Sequence, residues 1–109
     1  MASEAECQVA LERLSAALRK FGNKDAIERR TVSCTVTDLD VVFSGSLDGD
    51  GFHDISTAPA GKAQIRLQMA SDDLVALSKR QLDFPKAWAT GRIKVGASLG
   101  DLLRLRKFF

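Results

Sequence analysis

Any chemistry in this chain of 109 residues must come from a short set of side chains. The only histidine, His53, stands beside Asp54, and Asp40 lies a strand earlier. An imidazole next to a carboxylate can move a proton. A reaction also needs a nucleophile or a second proton carrier within reach, and no spacing here supplies one. The run Asp48-Gly49-Asp50-Gly51 has the beginnings of a calcium loop. That loop requires a carboxylate or amide at its fifth position and a glutamate at its twelfth, and here those are Phe52 and Pro59. Cys7 and Cys34 are too far apart to form a C-x-x-C ligand pair. They read as reduced core thiols on a helix and a strand. No metal and no cofactor is expected.

The elements that must position these residues are well marked. Ser3 and Glu6 make a capping-box pattern. Behind them Cys7, Leu11, Leu14, Leu18 and Phe21 recur at helical spacing up to Gly22, a C-terminal stop. Residues 29–37 alternate, with Val32, Cys34 and Val36 on one side, and Asp38-Leu39-Asp40 turns the chain. A second strand, 41–47, carries Gly45 at its centre, where something approaches closely or a bulge occurs. The Asp-Gly pairs make a hairpin turn into a short third strand, 52–57. After a loop at Ala58-Pro-Ala-Gly61, residues 63–69 alternate cleanly, with Ala63, Ile65, Leu67 and Met69 inward. Ser71 is expected to cap a helix with Asp72 and Asp73 in its first turn. Pro85 opens another helix that ends at Gly91, residues 92–95 form a last strand, and Ser98 and Asp101 begin the final helix. This order predicts an α+β fold, with a mainly antiparallel sheet and helices gathered on one face.

Composition sets the outer limits. With 45% hydrophobic and 28% charged residues, positions 1–109 read as a single domain able to close a core. A net charge of +2 is too small to hold nucleic acid. It allows a mild preference for anionic surfaces and a transient contact with membranes. No signal peptide, no spanning apolar run and no peroxisomal ending is legible. A cytoplasmic protein of compact bacterial style, monomeric or weakly dimeric, is the expectation.

The run from Arg66 to Leu105 resembles the C-terminal half of sterol carrier protein 2 (SCP2)-like domains. The matching pieces are Ser71 to Leu74, Leu82 to Trp88, Gly91 to Val95 and Leu99 to Leu105. Trp88 stands where that family commonly has phenylalanine. The resemblance implies a five-stranded sheet in order 3-2-1-4-5 with helices over one face. It also implies an apolar pocket between sheet and C-terminal helices for fatty acyl chains, acyl-CoA, sterols or other lipids. The expected walls are Leu74, Leu77, Phe84, Trp88, Ile93, Leu99, Leu102 and Leu103. Arg106, the one charge on the last helix's apolar arc, would meet a lipid carboxylate or phosphate at the mouth. Binding of a hydrophobic ligand, with intracellular transfer, is the reading this favours, and no catalytic residue is assigned. The alternative is a small enzyme or accessory subunit acting on an apolar molecule in the same pocket, with His53, Asp40 or Asp54 as acid or base.

Overall fold

The computed structural model describes residues 1–21 and 29–108, apart from the side chains of Phe21 and of 104–108. The elements in chain order are α1 (Glu4–Phe21), β1 (Arg30–Val36), β2 (Val41–Asp48), β3 (Gly51–Ser56), β4 (Ile65–Met69), α2 (Ser71–Ser78), α3 (Phe84–Ala89), β5 (Lys94–Gly96) and α4 (Leu99–Phe108). The strands form one sheet in the order β3-β2-β1-β4-β5. Three neighbouring pairs are antiparallel and only β1 and β4 run parallel. The fold expected from sequence is therefore present, as a mixed, mainly antiparallel sheet.

α1 starts where its capping box places it. Ser3 Oγ accepts the Glu6 N–H at 3.1 Å, and Glu6 Oε1 accepts the Ser3 N–H at 3.2 Å. Its buried stripe, Cys7, Ala10, Leu11 and Leu18, joins Val32, Cys34 and Val36 of β1, Phe43 and Leu47 of β2, and Ile65, Leu67 and Met69 of β4. A buried leucine in such a stripe contributes roughly 2 kcal/mol, so the stripe is enough to hold the helix on the sheet. Thr31, Val42, Gln64 and Gln68 alternate with these residues and are exposed.

α2 begins differently from its sequence signature. Ser71 is its first helical residue and Ala70 is the N-cap, which makes no side-chain cap bond. The carboxylate of Asp38, from the β1–β2 turn, accepts both the N–H and the O–H of Ser71, at 2.8 and 2.6 Å. Ser71 Oγ in turn accepts the Ala2 N–H at 2.9 Å. The serine hydroxyl is thus used to tie the N-terminal segment to the β1–β2 turn, and the capping role falls to Asp38.

β3 contains a bulge. Ser44 pairs with Ser56 and Ser46 with His53, so Asp54 and Ile55 together oppose Gly45. Asp54 takes φ +55° to make the extra step. A Cβ at position 45 would lie 2.5 Å from the His53 carbonyl oxygen, which excludes any side chain there.

Two outcomes follow. Gly45→Ala should destabilise the fold by about 1–3 kcal/mol, read as a lower denaturant midpoint. An unchanged midpoint would mean that the bulge relaxes freely. The bonds from Ser71 hold the Asp38 carboxyl below its ordinary 3.8. Its stabilising effect is therefore present above that value and is lost as pH falls through the lowered one. Asp38→Asn should lower the thermal midpoint at neutral pH and flatten its fall in acid. Parallel pH profiles for the two proteins would contradict this.

Candidate functional site

The bulge leaves a gap in the apolar face of the sheet. Gly45 offers no side chain at the centre of that face; the β3 backbone crowds where its Cβ would be, and the side chains around it leave a small space beside it. Leu11 of α1, Val32 and Cys34 of β1, Phe43 of β2, Phe52 and Ile55 of β3 and Leu67 of β4 line a partly open void of about 20 Å³. That is room for little more than one water, in walls that offer it few polar partners.

Phe52 and Ile55 have a second aspect. With Gln8, Glu12, Ser15 and Arg19 of α1, and with Asp54, they line an open groove of about 300 Å³ along the α1–β3 edge. These two half-buried side chains are what the void and the groove share. Two contacts hold α1 to β3 here. Ser15 Oγ donates to the Phe52 carbonyl at 3.1 Å and accepts the Phe52 N–H at 2.9 Å. Arg19 Nε donates to the Asp50 carbonyl at 3.2 Å. Gly51, at φ +105°, makes the close approach feasible, since a Cβ there would lie 2.6 Å from Ser15. A further groove of about 410 Å³ runs under the 58–63 loop, beside Thr31, Ser44 and Ser56.

The void carries one titratable group. Burial pushes the Cys34 thiol up to about 12, with a smaller push from Cys7. Cys7 is raised in the same direction, first by burial and then by the charge of Asp38. Both cysteines are free and buried. His53 alternates with Phe52 along β3, so it projects from the opposite side of the sheet, and its Nε2 lies 2.8 Å from Asp48 Oδ1. Asp40 and Asp54 are exposed, each at a positive φ. None of these three lines the void. Among the described residues no cluster of three or more His, Cys, Asp or Glu side chains could hold a metal.

The residues singled out from sequence spread over several surroundings. Leu74, Phe84 and Ile93 are buried in the main core, and Leu77 and Trp88 pack against it from half-buried positions. Phe84 and Trp88 meet edge to face with centroids 5.9 Å apart. Leu102 is half-buried, while Leu99 is 75% and Leu103 53% exposed. The Arg106 side chain lies outside the described residues. None of the other eight lines the void under α1. The orientation of α4 explains the two exposed leucines. Ser98 caps the helix by accepting the Asp101 N–H at 3.2 Å. The Asp101 carboxylate pairs with Arg30 of β1 at 3.1 Å, with side chains only 8% and 20% exposed. That pair turns the Asp101 side of α4 toward the sheet and Leu99 and Leu103 away from it.

The fold is that of sterol carrier protein 2 domains. The sterol carrier protein domain 2 of Helicoverpa armigera superposes with a TM-score of 0.66 at 18% identity, covering 93% of this chain and 83% of that one. Sterol carrier protein 2 of Aedes aegypti, solved in complex with palmitate, gives 0.60 at 16% identity, over 98% and 94%. The inverting sec-alkylsulfatase Pisa1 from Pseudomonas sp. gives 0.56 at 18% identity, and here 84% of this chain spans only 15% of the other. No family model matches the sequence, and no curated protein matches it.

With both thiols buried and raised, iodoacetamide should label neither cysteine in the native protein and both after denaturation, counted by intact mass. Labelling of Cys34 at the rate of an exposed thiol would show that the void opens to water.

Proposed function

We propose that this domain binds a hydrophobic ligand, a fatty acyl chain, acyl-CoA, sterol or other lipid, between α1 and the apolar face of the sheet. We also propose that it carries the ligand inside the cell. The observation that supports this most is the apolar void under α1, separated from an open groove by Phe52 and Ile55. The likeness in fold to a palmitate-bound domain points the same way.

The void as it stands is far smaller than the ~300–1,000 Å³ of a typical ligand pocket. Loading therefore requires α1 to part from β3. At its N-terminal end α1 is tethered through Ala2, Ser71 and Asp38. Toward its C-terminal end the ties are those of Ser15 and Arg19 to the β3 hairpin. The helix would swing outward about its tethered end, and an acyl chain would slide past Phe52 and Ile55. Each buried methylene returns about 0.8 kcal/mol, so about twelve of them return about 10 kcal/mol against the cost of opening and of association. Such binding needs no positioned polar group at the buried end.

Leu11, Phe43, Phe52, Ile55 and Leu67 would meet the chain first. Of the walls expected from sequence, Leu77 and Trp88, half-buried against the same core, are those a longer ligand would reach next. Arg106 would serve a lipid carboxylate or phosphate from α4. A carrier also has to meet the bilayer that supplies its cargo, so transient membrane contact belongs to this reading.

Native mass spectrometry of protein purified from cells should show a co-purified acyl lipid, and added fatty acid should change Trp88 fluorescence. Ile55→Gln, which puts an amide at the shared wall, should weaken fatty-acid binding about tenfold, the worth of roughly two methylenes. An apo mass with no fluorescence response would remove the reading. Full affinity in Ile55→Gln would move the ligand away from α1 and β3.

A further inference from the structure

α4 presents two leucines to solvent at a spacing of one helical turn. Leu99 and Leu103 are among the most exposed large apolar residues in the structure. Gly100 between them has nothing described within 4 Å of where a Cβ would stand, so among the described residues no neighbouring element packs on this side. The exposure is imposed by the fold. Rotating α4 to hide the leucines would pull Asp101 from Arg30 and leave a buried carboxylate without its cation.

Charge is gathered at the same end of the chain. Residues 92–109 carry Arg92, Lys94, Arg104, Arg106 and Lys107 against one acid, Asp101, in a chain whose net charge is only +2, and of these cations Arg92 is already paired with Asp73 of α2. Asp101 is already neutralised by Arg30. At helical spacing, positions 106 and 107 continue the line begun by 99 and 103, and α4 extends through Phe108. Along its sequence α4 runs from an apolar start to a cationic end.

We propose that this face of α4 docks on an anionic lipid bilayer, with Leu99 and Leu103 in the interface and the cations of the C-terminal segment among the headgroups. Such an interface accepts a convex helix carrying a few apolar anchors beside basic residues, and needs no complementary groove. A stable dimer buries at least about 1,200 Å², far more than two leucines provide, which argues against a second copy. The proposal deepens the carrier reading and rests on it for the purpose of docking. The two are measured separately, since vesicle binding is read without free fatty acid and ligand binding without vesicles.

The experiment is flotation of the whole chain with vesicles of phosphatidylcholine alone, or of phosphatidylcholine and phosphatidylglycerol in equal parts. The protein should float with the anionic vesicles, remain behind with the neutral ones, and be released when salt shortens the screening length well below its ~10 Å at 0.1 M. The double variant Leu99→Asp/Leu103→Asp should bind the anionic vesicles at least about tenfold more weakly. Leu99→Ser/Leu103→Ser, which adds no charge, should show the same direction of loss, and an unchanged thermal midpoint would confirm that both variants fold. No flotation with anionic vesicles overturns the proposal, as does equal flotation with both kinds. Salt-sensitive binding that both variants retain would assign contact to the cations alone and overturn the role of the leucines. A concentration-dependent dimer lost in the variants, with no vesicle binding, would give the face to a second copy. Loss of fatty-acid binding in wild-type protein that still floats would end the carrier reading and leave the docking face standing.

Discussion

One serine hydroxyl closes the edge of this molecule. β3 is the outer strand of the sheet, and its Phe52 N–H and carbonyl have no further strand to meet. Ser15 Oγ serves both groups, accepting from one and donating to the other. A helix residue thereby does the work of a neighbouring strand, and the exposed ladder that invites aggregation is covered at that point. The bond also sets the height of α1 above the sheet. With Ser15 fixed on Phe52, Leu11 one turn earlier lines the void together with Gly45, where the sheet has no side chain to offer. The void follows from the two facts together.

The bulge in β3 belongs to the same arrangement. Two residues opposite Gly45 increase the local twist and bring Ile55 across the gap, where its Cγ1 would lie 3.2 Å from a Cβ at position 45. The site is thus bounded by a missing side chain, an extra residue and a helix held at a fixed distance. No catalytic group is needed to make such a space useful, because transfer of methylenes out of water drives binding by itself. His53, to which the sequence draws attention beside Asp54, instead meets Asp48 across the sheet from the void, and the pair reads as a clasp on the β2–β3 hairpin.

The fold was largely legible, because its signals are local. The capping box of Ser3 and Glu6, the alternation of 63–69 and the stop at Gly91 depend on neighbours within a turn, and each appears where expected. Gly45 was legible as a position of close approach. What sequence could not reach depends on partners far along the chain. Ser71 looks like an N-cap until Asp38, 33 residues earlier, takes that role. α4 looks like an inward apolar arc until Arg30, 71 residues earlier, fixes Asp101 and with it the rotation of the helix. Periodicity names the residues that face inward, and Leu11 and Leu67 were legible in that sense. It does not say where inward residues fail to touch, and the void is such a place.

The tether at the start of α1 bears on the order in which the molecule is made. Ala2 reaches Ser71 across 69 positions, and Ser71 is held in turn by Asp38. During synthesis α1 leaves the ribosome before α2, so its anchor does not exist until α2 has followed it. Through that interval the apolar stripe of Cys7, Leu11 and Leu18 has no finished sheet to cover. Until then the nascent chain carries an uncovered amphipathic helix, and a chaperone that recognises such helices would find its substrate there.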